Sequence, residues 1–179
     1  MRLFLAVEIP EEIRAKLETT VLDARRLGIP ASFSKTDQLH ITLLFLGEKT
    51  DAQLAEIRGK LSGLNSQKFK MFIQGAGFFP SDRFIRVFWA GAQDSYGELH
   101  ALHTQVCTLL DSRPEPNYAG HITLARVKSP DNLQSLRDLR RTLEGVQFGE
   151  FTVSEIVLKK STLTPEGAAY EDLNTFPLK

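Results

Sequence analysis

The tetrapeptide HITL occurs twice, at 40–43 inside "LHITLLFLGE" and at 121–124 inside "GHITLARVK". Each copy lies in an apolar run of strand length, and each interrupts that run with a histidine and a threonine two positions apart. Side chains alternate faces along a strand, so His40 and Thr42 point one way while Ile41, Leu43 and Phe45 point the other. In the second copy His121 and Thr123 share one face, and Ile122 and Leu124 the other. A strand that buries its apolar face against helices thus holds a histidine and a threonine on the face that packing leaves free, and the fold must build this twice.

The surrounding segments repeat in the same spirit. "RLFLAVEI" predicts a strand, and Pro10 followed by Glu11 and Glu12 opens an amphipathic helix running to about residue 27. Thr50 and Gln53 have capping-box spacing ahead of Leu54, Ile57 and Leu61. "KFKMFIQGAG" and "RFIRVFWAG" read as a hairpin around Pro80, Ser81 and Asp82. "SYGELHALHTQVCTLLDS" and "DNLQSLRDLRRTLEG" carry leucines at helical spacing, and "GEFTVSEIVLKKSTLTPEGAAYEDLNTF" reads as two strands around a turn at Pro165, Glu166 and Gly167. The order strand, helix, strand, helix, two strands is echoed by helix, strand, helix, two strands. The expected fold is therefore α+β: a bilobal duplicated architecture, two antiparallel or mixed sheets flanked by helices. With 179 residues, 42% of them hydrophobic, the chain can bury one core as a single bilobal domain over 1–179, its lobe halves near 1–92 and 93–179, with strand exchange between the lobes allowed for.

Two imidazoles that titrate near neutrality can be held one neutral and one protonated, giving a general base and a general acid together. Phosphoryl transfer suits that pair: the base activates a hydroxyl or water, the acid protonates the leaving oxygen, and two threonine hydroxyls donate to non-bridging oxygens. No metal ligand is called for. Lys and Arg total 22 against 22 Asp and Glu, which argues against a long electrostatic grip on a duplex and confines any nucleic-acid contact to an end or a few nucleotides. The single cysteine, Cys107, permits no internal disulfide and reads as packing or partial surface. The apolar amino-terminal run is broken by Glu8 and Pro10, too short for a membrane span, and a cytoplasmic location is expected.

These residues carry a family resemblance. The motifs His40-Ile-Thr42-Leu and His121-Ile-Thr123-Leu resemble the paired HxTx elements of the 2H phosphoesterase superfamily. Together with "RLFLAVEIP", "GFFPSDRFIRVFWAG" and "LKKSTLTPEGAAYEDL", they resemble the RNA 2′,3′-cyclic phosphodiesterases, also called 2′-5′ RNA ligases, over nearly the whole chain. The resemblance implies a bilobal molecule with the two motifs facing across a cleft. It implies His40 as proton donor to the leaving ribose oxygen, His121 as proton acceptor for water, and Thr42 and Thr123 as phosphate-binding residues. It also implies hydrolysis of RNA 2′,3′-cyclic phosphate ends to 2′-phosphomonoesters, the same geometry run backward giving 2′-5′ ligation, with no cofactor and no metal. The partners are RNA ends with a 2′,3′-cyclic phosphate, tRNA fragments among them, met by a monomer without membrane contact. Gly120 is a small departure, at a place where many relatives have proline or another residue before the second motif.

Other residues have bland alternatives. Arg126 resembles a recurring family arginine and is a phosphate-binding candidate, but strict alternation from His121 puts it on the opposite face unless the strand bulges. Arg86 could reach the cleft or be solvated. Phe84, Phe88 and Trp89 offer a stacking platform or simple core. His100 and His103 stand three apart on a helix without a metal-site context, which favours a surface or edge role. Arg137, Arg140 and Arg141 form a basic helix face, read as solvated in preference to RNA-guiding. Two other functions stay open: a 2H phosphodiesterase of small cyclic nucleotides or ADP-ribose cyclic phosphate, and a noncatalytic RNA-end binding module.

Overall fold

The computed structural model describes every residue except Asn132 and Glu166. In chain order the elements are β1 (Arg2–Glu8), α1 (Glu11–Arg26), β2 (Ala31–Phe33), β3 (His40–Glu48), α2 (Asp51–Leu61), β4 (Phe69–Pro80), β5 (Ile85–Gln93), α3 (Glu98–Leu109), β6 (His121–Val127), α4 (Gln134–Thr142), β7 (Gln147–Val153), β8 (Glu155–Thr164) and β9 (Gly167–Pro177). Local chemistry sets several boundaries. Pro10 caps α1, and the Thr50 side chain and Gln53 exchange bonds with each other's backbone N–H to close the capping box of α2. Of the turn expected at Pro165, Glu166 and Gly167, the middle residue lies outside the described residues, as does Asn132 in the segment leading into α4.

The carboxy-terminal third differs from the sequence expectation. "GEFTV" belongs to a separate strand, β7, which pairs with β4, while β8 pairs with β1 and β9. No glycine or proline separates β7 from β8, so the break at Ser154 has no local signal.

The two expected sheets are joined. Strands run in the order β7-β4-β5-β6-β3-β1-β8-β9, with β2 on β6, and every pairing is antiparallel. One residue pair, Ile41 with Ile122, carries the whole β3–β6 connection among the described residues. Strands from both sides of residue 92 contribute to each half of this sheet, because β6 and β7 join β4 and β5 while β8 and β9 join β1.

Packing puts both motifs at the centre. Ile41, Leu43, Ile122 and Leu124 are fully or almost fully buried, in one cluster with Leu3, Leu5 and Val7 of β1 and Ile13, Leu17 and Val21 of α1. Burying one such side chain contributes about 1.5–3 kcal/mol, so the apolar half of each HITL motif anchors its strand while the polar half stays free. Before the second motif, Gly120 is demanded by close approach: a Cβ there would lie 2.9 Å from the Ala92 carbonyl oxygen and 2.4 Å from Leu99 Cδ2. Among the described residues no helix is long and apolar enough to cross a membrane.

Candidate active site

The Ile41–Ile122 pair organises the four motif side chains. In an antiparallel register centred on it, one step in either direction sets Thr42 opposite His121 and His40 opposite Thr123. All four then share the face opposite the buried isoleucines. The motifs lie on neighbouring strands of one sheet, rather than on two sheets facing across a gap.

Each motif is followed by a β-bulge at the same position. On β3 the register passes from Ala6–Thr42 to Leu5–Leu44, leaving Leu43 as the extra residue. On β6 it passes from Trp89–Thr123 to Phe88–Ala125, leaving Leu124 extra. A bulge advances the strand by one residue and so inverts the alternation beyond it. This corrects the expectation for Phe45, which lies on the motif face and is 65% exposed instead of packing under the helices. It also settles the face of Arg126, which the same inversion brings round to the side of His121 and Thr123.

The two imidazoles are held alike. His40 Nδ1 lies 2.7 Å from the Gln38 carbonyl oxygen and His121 Nδ1 lies 2.9 Å from that of Ala119, in each case two residues upstream. A carbonyl only accepts, so Nδ1–H is the donor in both rings and Nε2 carries the exchangeable lone pair of the neutral form. His40 Nε2 also lies 3.1 Å from Thr42 Oγ1. Aromatic rings wall both sites: Phe4 and Tyr170 stand 5.0 and 5.4 Å from His40, and Phe79 and Trp89 stand 4.9 and 6.4 Å from His121.

Burial is the largest influence on both rings and pushes both below the ordinary histidine value, because the charged form loses solvent. For His40 the Gln38 carbonyl and Glu8 act in the opposite direction, while Lys159 and Arg14 reinforce the lowering. For His121 the Ala119 carbonyl opposes burial and Arg126 reinforces it. Behind His40, Lys159 lies 2.6 Å from Glu8, which also pairs with Arg14.

A cleft of about 760 Å³ opens over this face. His40, Thr42, Thr123 and Arg126 line it, while His121 is not among its lining residues. The described lining also contains Arg2, Lys35 and Lys128, the aromatics Phe4, Phe33, Phe45 and Tyr170, and no acidic residue. In a chain of zero net charge this is a local concentration of four cations beside exposed ring surface, suited to phosphates and bases. Sequence reading missed Phe45 and the three further cations. The identical spacing of HITLLF and HITLAR was the available signal for Phe45, whereas Arg2, Lys35 and Lys128 converge only through strand order.

The remaining candidates fall outside the cleft. Arg86 stacks on the exposed ring of Phe84 at 4.6 Å, Phe88 is wholly buried, and Trp89 flanks His121. Arg137 donates to the Asp82 carbonyl at 3.1 Å and Arg141 pairs with Asp138 at 3.0 Å, so these arginines tie α4 to the β4–β5 turn and to itself. His100 is exposed and Cys107 is buried. His103, expected at a surface or edge, is instead fully buried with both ring nitrogens bonded within the protein, at the seam between α3 and β3.

A family model described as the 2′-5′ RNA ligase superfamily matches residues 4–163. An RNA 2′,3′-cyclic phosphodiesterase of Archaeoglobus fulgidus is 37% identical over 180 residues, spanning 98% of this chain and 99% of its own. One from Methanothermobacter thermautotrophicus is 34% identical, spanning 99% of both chains. The crystal structure of a Thermus thermophilus protein superposes with a TM-score of 0.79 at 32% identity, covering 99% of this chain and 97% of that one. Escherichia coli LigT, crystallised with 3′-AMP, shares the fold with a TM-score of 0.78 at 22% identity over 99% of this chain and 97% of its own.

Proposed function

Because the chain belongs to the 2′-5′ RNA ligase superfamily, we propose that it is an RNA 2′,3′-cyclic phosphodiesterase, hydrolysing cyclic phosphate ends to 2′-phosphomonoesters. The observation that carries the reading is the register about Ile41 and Ile122, which sets two His–Thr pairs head to tail on one face beside a cationic cleft. His121 Nε2 takes a proton from water as the water oxygen bonds to phosphorus. The bond from phosphorus to the ribose 3′-oxygen breaks, and His40 Nε2–H supplies that oxygen with its proton. Thr42, Thr123 and Arg126 donate to the non-bridging oxygens as charge builds there. A 5′-hydroxyl in place of water gives the 2′-5′ linkage. The protein acts as a monomeric single bilobal domain in the cytoplasm, with tRNA fragments among its substrates, and its own side chains supply the acid and the base.

The direct test is hydrolysis of a short RNA ending in a 2′,3′-cyclic phosphate, with EDTA present and the product identified by its resistance or sensitivity to a 3′-specific phosphatase. A 2′-phosphate product supports the reading; an intact end refutes it.

The pH dependence is fixed in sign. With both imidazoles lowered, each stays neutral until the pH falls below the ordinary value of 6.5. Only the singly protonated pair is competent, so kcat/KM for the free enzyme should peak below pH 6.5 and decline toward pH 8 as the acid is lost. A maximum above pH 7 counts against this pair. Stability runs the opposite way with pH: the unfolded chain takes up these protons first, so folding is weakened as pH falls through about 6.5.

The cleft favours an RNA end over a lone cyclic nucleotide, since Arg2, Lys35 and Lys128 line it in addition to Arg126. Lys35→Ala with Lys128→Ala should cost about tenfold in kcat/KM on a pentanucleotide and much less on a cyclic mononucleotide, with a shallower salt dependence on the former. Equal losses on both substrates would place these lysines outside the RNA path.

A further inference from the structure

Past the Ile41–Ile122 pair, β3 and β6 have no further pair with each other among the described residues, so the carbonyls at each bulge need other partners. Both strands have them. On β6 the Thr123 carbonyl accepts from Ser34 Oγ at 2.7 Å, and the Leu124 carbonyl from the Ser34 N–H at 2.9 Å. On β3 the matching Thr42 carbonyl accepts from the Tyr118 hydroxyl at 2.9 Å, and the Leu43 carbonyl from His103 Nδ1–H at 2.8 Å.

The β3 arrangement is built of side chains that nothing in the proposed chemistry uses. His103 is fully buried, and its Nε2 accepts the Glu115 N–H at 3.1 Å, which fixes Nδ1 as the donor. Its ring stacks on Tyr118 with centroids 4.1 Å apart and planes 3° from parallel. Burial, with smaller effects from Glu115 and Cys107, drives the Tyr118 phenol well above its ordinary range, so its hydroxyl stays a donor. Neither residue lines the cleft.

We propose that His103 and Tyr118 are positioning residues for the first motif: by holding the consecutive Thr42 and Leu43 carbonyls they fix the bulge that aims Thr42 Oγ1 and His40 Nε2 at the reacting phosphate. This rests on the reading of His40 and Thr42 as groups that touch substrate. Thr42 Oγ1 lies 3.1 Å from His40 Nε2, so a backbone rotation at Thr42 that displaces Oγ1 also disturbs the contact made by His40 Nε2. The stacked pair reaches from α3 and from the loop before β6 and holds β3 from outside the strand. Ser34 serves the second motif in the same way, with one residue supplying both donors.

Tyr118→Phe removes a hydroxyl and keeps the ring. It should lower kcat by at least about tenfold with KM within about twofold, the signature of misplaced groups rather than weakened binding. In proton NMR titrations the His40 midpoint should move and that of His121 should not. His103→Leu should repeat the loss, and His103→Asn, which sets an N–H donor near the position of Nδ1, should restore most of kcat. The proposal is overturned if Tyr118→Phe keeps wild-type kcat. It also falls if thermal stability drops while both titrations stay unchanged, or if His103→Asn is no better than His103→Leu. Wild type and His40→Ala run alongside separate the two readings. An active His40→Ala brings down the proposed function, whereas an inactive His40→Ala beside a fully active Tyr118→Phe brings down only the positioning role.

Discussion

His40→Ala and His121→Ala should each lower kcat on an RNA 2′,3′-cyclic phosphate by at least about a hundredfold, because general acid and general base contributions are each worth about 10²–10⁴-fold. The double variant should be little worse than either single one, since acid and base act in one step and their losses do not add. Single-turnover hydrolysis followed by chromatography reads this directly. The two rings then part company with a better leaving group. On an activated aryl phosphodiester, which leaves without a proton, His40→Ala should recover much of its loss and His121→Ala should not. The reverse result would exchange the donor and acceptor roles, and near-wild-type activity in either single variant would remove that histidine from the mechanism. Both rings are held by backbone carbonyls and partly exposed, so neither substitution empties the core.

Loss of the threonine hydroxyls comes next in size. Thr42→Val and Thr123→Val preserve shape and delete one donor to the phosphate, and removal of a single preorganised donor costs about 10²–10³-fold in kcat. The two should differ in one respect. Thr42 Oγ1 also lies 3.1 Å from His40 Nε2, so Thr42→Val alters the His40 titration as well as the rate, while Thr123→Val should leave it unchanged. Thr→Ser at either position keeps the hydroxyl and should stay within about tenfold of wild type. A Val variant with full activity would show that its hydroxyl does not meet the phosphate.

Much of the chemistry is local and was therefore legible. Strand alternation alone puts His40 with Thr42 and His121 with Thr123, and two copies of so short a motif in matching contexts single out the pair. The α2 capping box and the β4–β5 hairpin follow from residues within a few positions of each other, and the structure contains both. The limits appear where a partner strand or a neighbouring element decides. Phe45 and Arg126 read as alternating away from the motif face, yet a bulge needs a mismatch between two strands, and β1 and β5 lie far from β3 and β6 in sequence. β7 parts from β8 because β4 claims it.

His103 shows the same limit in one residue. On the helix it sits at the flank of the apolar stripe, and it is buried because β3 presents a carbonyl that needs a donor. The sequence by itself determined that each motif holds its histidine and threonine on one face of its strand and what proton chemistry that pair can perform, since alternation and ionisation are properties of a single strand and its side chains. Only the tertiary structure decided that the two motifs meet at one isoleucine pair, which arginine and phenylalanine join them, and what holds their bulges in place, because each depends on pairing between segments that the chain brings together only on folding.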